Sequence, residues 1–185
     1  MGINKLQDFL KSPHEAIIIS SEENRRYFTG FPSTHGYLVV TKDEAVFFTD
    51  SRYIEAAQKT VKNCKAKLLT KVSEEIKEYI KDRKIIKIYS EREHITVSVS
   101  DYLKTVFLPC KVTPSKKLEA EITRIRRIKT EEQKEKILTA QKIAEDAFQH
   151  ILTFIKPGVT EKQIALELDF YMLSHGAEAL SFETI

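Results

Sequence analysis

The chain has 185 residues, of which 42% are hydrophobic and 31% charged, with two cysteines and no tryptophan; this excludes disordered and fibrous classes and fits one large globular domain or two small ones. Thirty Lys and Arg against 27 Asp and Glu leave a net charge of +3 with the signs interleaved, so no strong field points at nucleic acid or a membrane surface, and neither is an expected partner. Cys64 and Cys110 form no disulfide framework and point to a reducing, cytoplasmic compartment. No apolar run approaches the ~20 residues of a membrane span, and the charged, amphipathic N-terminus shows no secretory signal.

In chain order, Ile3, Leu6 and Leu10 keep helical spacing, and Ala16 to Ser20 is a continuous apolar run of strand length. Ser21 to Phe28 reads as a polar helical turn stopped by Gly30. Gly36 to Thr41 and Ala45 to Thr49, separated by Lys42-Asp43-Glu44, read as a β-hairpin. Asp50 and Ser51 can cap a helix over Tyr53 to Thr60, because short oxygen side chains accept from unpaired first-turn N–H groups. Ala66 to Leu69 then reads as strand, Val72 to Asp82 as an amphipathic helix through Val72, Ile76, Tyr79 and Ile80, and Ile85 to Tyr89 as strand. Val97 to Phe107 is expected to be helical, with Val99, Leu103, Val106 and Phe107 on one face, and Lys111 to Thr113 a last strand before Pro114. Strands alternating with helices predict an α/β layered domain.

Beyond Thr130 the pattern changes to long helices. Thr130 with Gln133, and Thr160 with Gln163, match capping boxes. Ile137, Ala140, Ala144, Ala147, Phe148, Ile151 and Ile155 repeat at three and four until Pro157-Gly158. Ile164, Leu168, Tyr171, Met172 and His175 do so until Gly176, a natural left-handed C-terminal position. The expected division is a domain over 1–120, a linker over 121–130 and a second, incomplete domain over 131–185. Residues 177–185 read as the first strand of a sheet with no following strands, so the chain is expected to be truncated. The densest basic stretch, Lys116 to Lys129, is interrupted by Glu119 and Glu121 and followed by Glu131, Glu132 and Glu135. It reads as a solvated helical face or linker rather than a nucleic-acid patch.

The motifs of common chemistries are missing from the sequence. The five histidines His14, His35, His94, His150 and His175 include no pair at helical ligand spacing, the five glycines form no phosphate loop, no serine sits in a nucleophile elbow, and the cysteines lie 46 residues apart. Asp50, Asp101, Asp146 and Asp169 have plain readings as caps or exposed helix residues. No catalytic residue and no metal ligand is therefore assigned.

Two segments nevertheless carry a resemblance. Glu23-Asn-Arg-Arg-Tyr-Phe-Thr-Gly-Phe31, with Gly36 to Thr41 and Phe47-Phe-Thr-Asp-Ser-Arg-Tyr53, resembles the N-terminal domain of prolidases, Xaa-Pro aminopeptidases and creatinase. Ile125-Arg-Arg-Ile-Lys-Thr-Glu-Glu132, Ile155-Lys-Pro-Gly-Val-Thr-Glu161 and Gly176-Ala-Glu, with Ser181-Phe-Glu-Thr-Ile185, resembles the opening of their pita-bread catalytic domain. The resemblance implies an α/β domain with a mixed sheet and flanking helices, followed by the first helices of a truncated pita-bread domain. It implies a homodimeric metallopeptidase that removes an N-terminal residue before proline from proline-containing peptides. Two divalent metals, Mn²⁺ or similar, would be held by five carboxylate or histidine ligands, all beyond Ile185. Such a bridge supplies hydroxide near neutral pH and polarises the scissile carbonyl, so this chain alone is expected to be silent. Two substrate-binding candidates carry over: Phe182, the aromatic position of the Ser-Phe-Glu-Thr-Ile motif, and His35, in a loop that can approach the neighbouring subunit's active site. Arg52 is expected to pair or pack. The competing readings are a non-catalytic association or peptide-binding module on this scaffold and, resting on topology alone, a ribonuclease H-like nucleic-acid binder.

Overall fold

A computed structural model describes residues 2–184; Ile185, the last residue of the Ser-Phe-Glu-Thr-Ile motif, lies outside them. The chain divides into two compact units between Ile128 and Lys129.

The first unit is built on six strands: β1 (Glu15–Ile19), β2 (Tyr37–Thr41), β3 (Ala45–Thr49), β4 (Lys65–Leu68), β5 (Lys87–Ser90) and β6 (Lys111–Pro114). Their order across the sheet is β4-β3-β2-β1-β5-β6. The hairpin strands β2 and β3 pair antiparallel, as do β1 and β2, whereas β5 and β6 extend the sheet parallel to β1 and β4 runs parallel to β3. The sheet is therefore mixed, as expected. The apolar runs of β1 to β3 lack alternation because both faces of the sheet are covered. Ile17, Ile19, Leu38, Val40 and Phe47 face a core with Ile3 and Leu6 of α1 (Gly2–Phe9), Phe28 of α2 (Glu22–Thr29), Ala57 of α3 (Ile54–Thr60), and Leu118, Ile122 and Ile125 of α6 (Lys116–Arg127). Ala16, Ile18, Val39, Val46, Phe48 and Ile88 face the opposite core. It is completed by Val72, Ile76, Tyr79 and Ile80 of a π-helical turn (Val72–Ile76) running into α4 (Lys77–Asp82), and by Leu103 of α5 (Val97–Val106) with the adjoining Phe107. At roughly 1.5–3 kcal/mol per fully buried large apolar side chain, these two clusters supply the main term that holds the layers together.

The stretch expected as a linker differs from that expectation. Helix α6 runs through Arg127 and buries Leu118, Ile122 and Ile125. Their i, i+4, i+7 spacing is hidden in the sequence by the surrounding Lys116, Lys117, Arg124, Arg126 and Arg127. Two of its basic residues are engaged within the unit: Arg124 pairs with Glu121 at 2.6 Å, and Arg126 Nη1 donates to Asn24 Oδ1 at 2.8 Å.

The second unit contains helices α7 (Glu131–Phe154) and α8 (Glu161–Ser174), packed along each other. Both begin with the complete capping boxes read from the sequence, Thr130 with Gln133 and Thr160 with Gln163. Chain reversal after α8 uses Gly176 at φ 102°. Residues 177–184 form no strand, contrary to expectation. A strand is stabilised by a partner's ladder, and no sheet exists among the described residues of this unit.

Candidate functional site

The two expected substrate-binding residues lie in different units. Phe182 is 75% exposed and borders a groove of about 560 Å³ in the second unit. The groove runs between Ala140, Ile143 and Ala144 of α7, Met172 of α8 and the segment 176–182. That irregular segment is tied to α8 by Thr184, whose Oγ1 donates to Asp169 Oδ1 at 2.6 Å. Asp169 is thus a tether, while Asp101 and Asp146 pair with Lys104 and Lys142 on their own helices.

His35 lies in the loop between α2 and β2 and borders a second cleft, of about 200 Å³, in the first unit. Its Nδ1 is 3.4 Å from Asp50 Oδ2, and its carbonyl accepts from Thr49 Oγ1 at 3.0 Å. Gly36 fixes this loop. Its φ is 139°, and a Cβ there would stand 2.5 Å from the Phe48 carbonyl oxygen, so only glycine lets the loop come this close to β3. Asp50 does not cap α3 with its side chain. Its Oδ1 accepts from the Arg52 N–H at 3.0 Å and its Oδ2 from Arg52 Nη2 at 2.7 Å, and Arg52 holds the carboxyl below the usual carboxylate range. Arg52 therefore pairs, as expected of it.

Three residues of this region escaped the sequence reading. Glu91, fully buried just beyond β5, accepts from Ser20 N (2.7 Å), Ser20 Oγ (3.2 Å), Ser21 N (2.8 Å), Ser21 Oγ and Asn24 Nδ2 (2.6 Å). It satisfies the start of α2, where Ser21 makes no side-chain cap of its own. Arg25, 3% exposed, donates to the carbonyls of Ser20 and Ser33 and borders the His35 cleft, as does His94. A carboxylate placed directly after a strand, like Glu91, was the signal available in the sequence. Its partners lie about 70 residues away, so the pairing was not readable.

Among the described residues no group of three or more His, Cys, Asp or Glu side chains could hold a metal ion. Burial pushes the Cys64 thiol up to about 12 and also raises that of Cys110, leaving little thiolate for nucleophilic chemistry near neutral pH. No helix is long and apolar enough to cross a membrane among the described residues.

The creatinase/prolidase N-terminal domain model matches residues 3–128, and the metallopeptidase family M24 model matches residues 135–185. The chain is 34% identical to an uncharacterized peptidase of Bacillus subtilis, over 100% of the chain and 52% of that protein. It is 29% identical to the Xaa-Pro dipeptidase of Pyrococcus furiosus, over 99% of the chain and 51% of that protein. The solved Xaa-Pro dipeptidase of Bacillus anthracis superposes with a TM-score of 0.86 at 32% identity, covering 98% of this chain and 50% of that one. The chain thus spans about half the length of each of these three relatives.

Proposed function

The chain belongs to the creatinase/prolidase N-terminal domain family, and from that premise we propose that it forms part of a metal-dependent Xaa-Pro peptidase that hydrolyses the bond between an N-terminal residue and proline. The observation that carries this reading is the succession of two family matches in one chain, a creatinase/prolidase N-terminal domain over 3–128 and an M24 metallopeptidase segment over 135–185. Relatives named as Xaa-Pro dipeptidases support it.

In this reading two divalent metals, Mn²⁺ or similar, serve the whole enzyme by providing hydroxide and polarising the scissile carbonyl. The described residues do not fit such a centre, and no step is assigned to them through it. Their contribution is scaffold and substrate contact. Phe182 presents its ring at the edge of the α7–α8 groove, where apolar substrate side chains can be desolvated. His35 sits in a loop suited to reach a neighbouring subunit of a homodimer. The expected compartment is the cytoplasm.

Reading the gene beyond codon 185 tests the proposal. An open frame carrying Asp, Asp, His, Glu and Glu in that order supports it, whereas a frame without them favours the non-catalytic, peptide-binding alternative. Incubating the 185-residue chain with Mn²⁺ and an Xaa-Pro dipeptide should release no proline above a mock preparation. Chelator-sensitive release that copurifies with the chain would overturn the assignment of the ligands to residues beyond it.

A further inference from the structure

We propose that the cleft at the carboxyl ends of β1 and β5 is a binding site for a small oxyanion, the carboxylate or phosphate group of a small molecule. The cleft is lined by Ser20, which follows β1, by Gly36 and Tyr37 at the start of the antiparallel β2, and by the segment leading from β5 into α5. Loops at the carboxyl ends of parallel strands are where open α/β sheets gather their ligands.

None of the ten lining residues is acidic, whereas Arg25, His35 and His94 are all among them. Two other clefts of this unit carry carboxylates beside their cations: Glu75, Glu78 and Asp82 with Lys67 and Arg83 in one, and Asp43, Glu44 and Asp82 with Arg83 in the other. Arg25 carries the strongest part of the argument. Its side chain is almost wholly buried, its two Nη groups donate only to the neutral carbonyls of Ser20 and Ser33, and its Nε meets no acceptor among the described residues. The nearby carboxylate of Glu91 is occupied by the Ser20, Ser21 and Asn24 donors. Burial disfavours the charge of Arg25, and Glu22, Glu91 and Glu23 favour it from nearby without accepting a hydrogen bond from it among the described residues. Burying a cation held in this way is costly, and an anion in the cleft would offset that cost.

The second contribution comes from α5. Thr96 caps this ten-residue helix by accepting from Val99 N at 3.2 Å, and both residues line the cleft. The N–H groups of Val97 and Ser98 have no acceptor inside the helix by its geometry, and the helix dipole places partial positive charge at this end. The two imidazoles complete the wall. His35 Nδ1 faces Asp50 at 3.4 Å and His94 Nε2 faces Glu119 at 4.0 Å, so each ring keeps its other nitrogen for a ligand. A metal cation would have to sit beside a guanidinium and a helix N-terminus, which disfavours that use of the two histidines. The volume, about 200 Å³, suits a phosphate or a small carboxylic acid rather than a peptide.

The proposal shares His35 with the peptidase reading but rests on Arg25, His94 and the start of α5, and its test uses no activity. Titration of the full chain with sodium phosphate and, separately, with sodium acetate, at constant ionic strength and followed by calorimetry, should show saturable binding of at least one anion. His94→Ala should weaken that binding at least about fivefold, the loss of one charge-assisted contact, while His175→Ala, in the other unit, leaves it unchanged. Arg25→Lys is the second variant and should weaken binding while a thermal melt shows it folded. Absence of saturable heat from both anions, or a His94→Ala variant that binds as the parent does, would overturn the proposal.

Discussion

The two units solve opposite halves of the folding problem. In the first, the starts of α2, α3 and α4 have no side-chain cap hydrogen bond, yet strands β1 to β3 are buried at almost every position. In the second, both helices start with complete capping boxes, yet only Ala147 and Ile151 of α7 and no residue of α8 are buried. Phe148, Leu152, Leu166, Phe170 and Leu173 are all about half exposed or more. Local hydrogen bonding can define where a helix begins without giving it a core, and a core can fix helices whose ends are poorly capped.

The sharpest way to break this comparison is to remove one aromatic side chain from each unit. Phe47→Ala, at a wholly buried position, should cost about 3–5 kcal/mol in urea unfolding followed by circular dichroism. Phe170→Ala, at 69% exposure, should change stability by less than about 0.5 kcal/mol. Equal losses would mean that the second unit has a core after all. A smaller effect is expected on association. Large exposed apolar patches are uncommon on soluble monomers, so the chain should self-associate through α7 and α8. The double substitution of Leu152 and Phe170 by Glu should weaken that association at least about tenfold, about 1.4 kcal/mol, in concentration-dependent light scattering. A parent chain that stays monomeric, or a variant that associates as well, would remove the exposed faces from the account. The smallest effect concerns the caps: Thr130→Ala or Thr160→Ala should each cost about 1 kcal/mol, read as faster amide exchange in the first turn of the affected helix. The same exchange in α5 should be unaltered, since it starts on its own cap, Thr96.

What the sequence made legible follows from the range of the interactions. The hairpin of β2 and β3 was readable because apolar runs and a polar turn sit side by side, and Thr41 closes it on Glu44 within three residues, N–H to carbonyl at 2.8 Å. The capping boxes were readable for the same reason. Helix α6 was not, because its buried stripe becomes visible only against the sheet, and its dense charge suggested a linker. The π-helical turn at Val72–Ile76 carries the same apolar spacing as the α-helix expected there, and its altered winding left no mark in the sequence. At the candidate sites, His35 and Phe182 were found through motif resemblance, whereas Arg25, Glu91 and His94 are brought together by strand order. Their nearness depends on β5 lying beside β1, a pairing between segments about 70 residues apart.

The position of α6 at the end of the first unit has a consequence for biosynthesis. Its Leu118, Ile122 and Ile125 close the core over α1, more than a hundred residues earlier in the chain, and its Arg126 holds Asn24 of α2, which in turn holds Glu91. A nascent chain that has emerged only as far as β6 has all six strands but leaves one side of its sheet partly open to solvent. The ribosome must deliver residues through Arg127 before α1 and α2 find their final partner, so a pause in translation within α6 would hold the domain with apolar surface of its sheet exposed to aggregation.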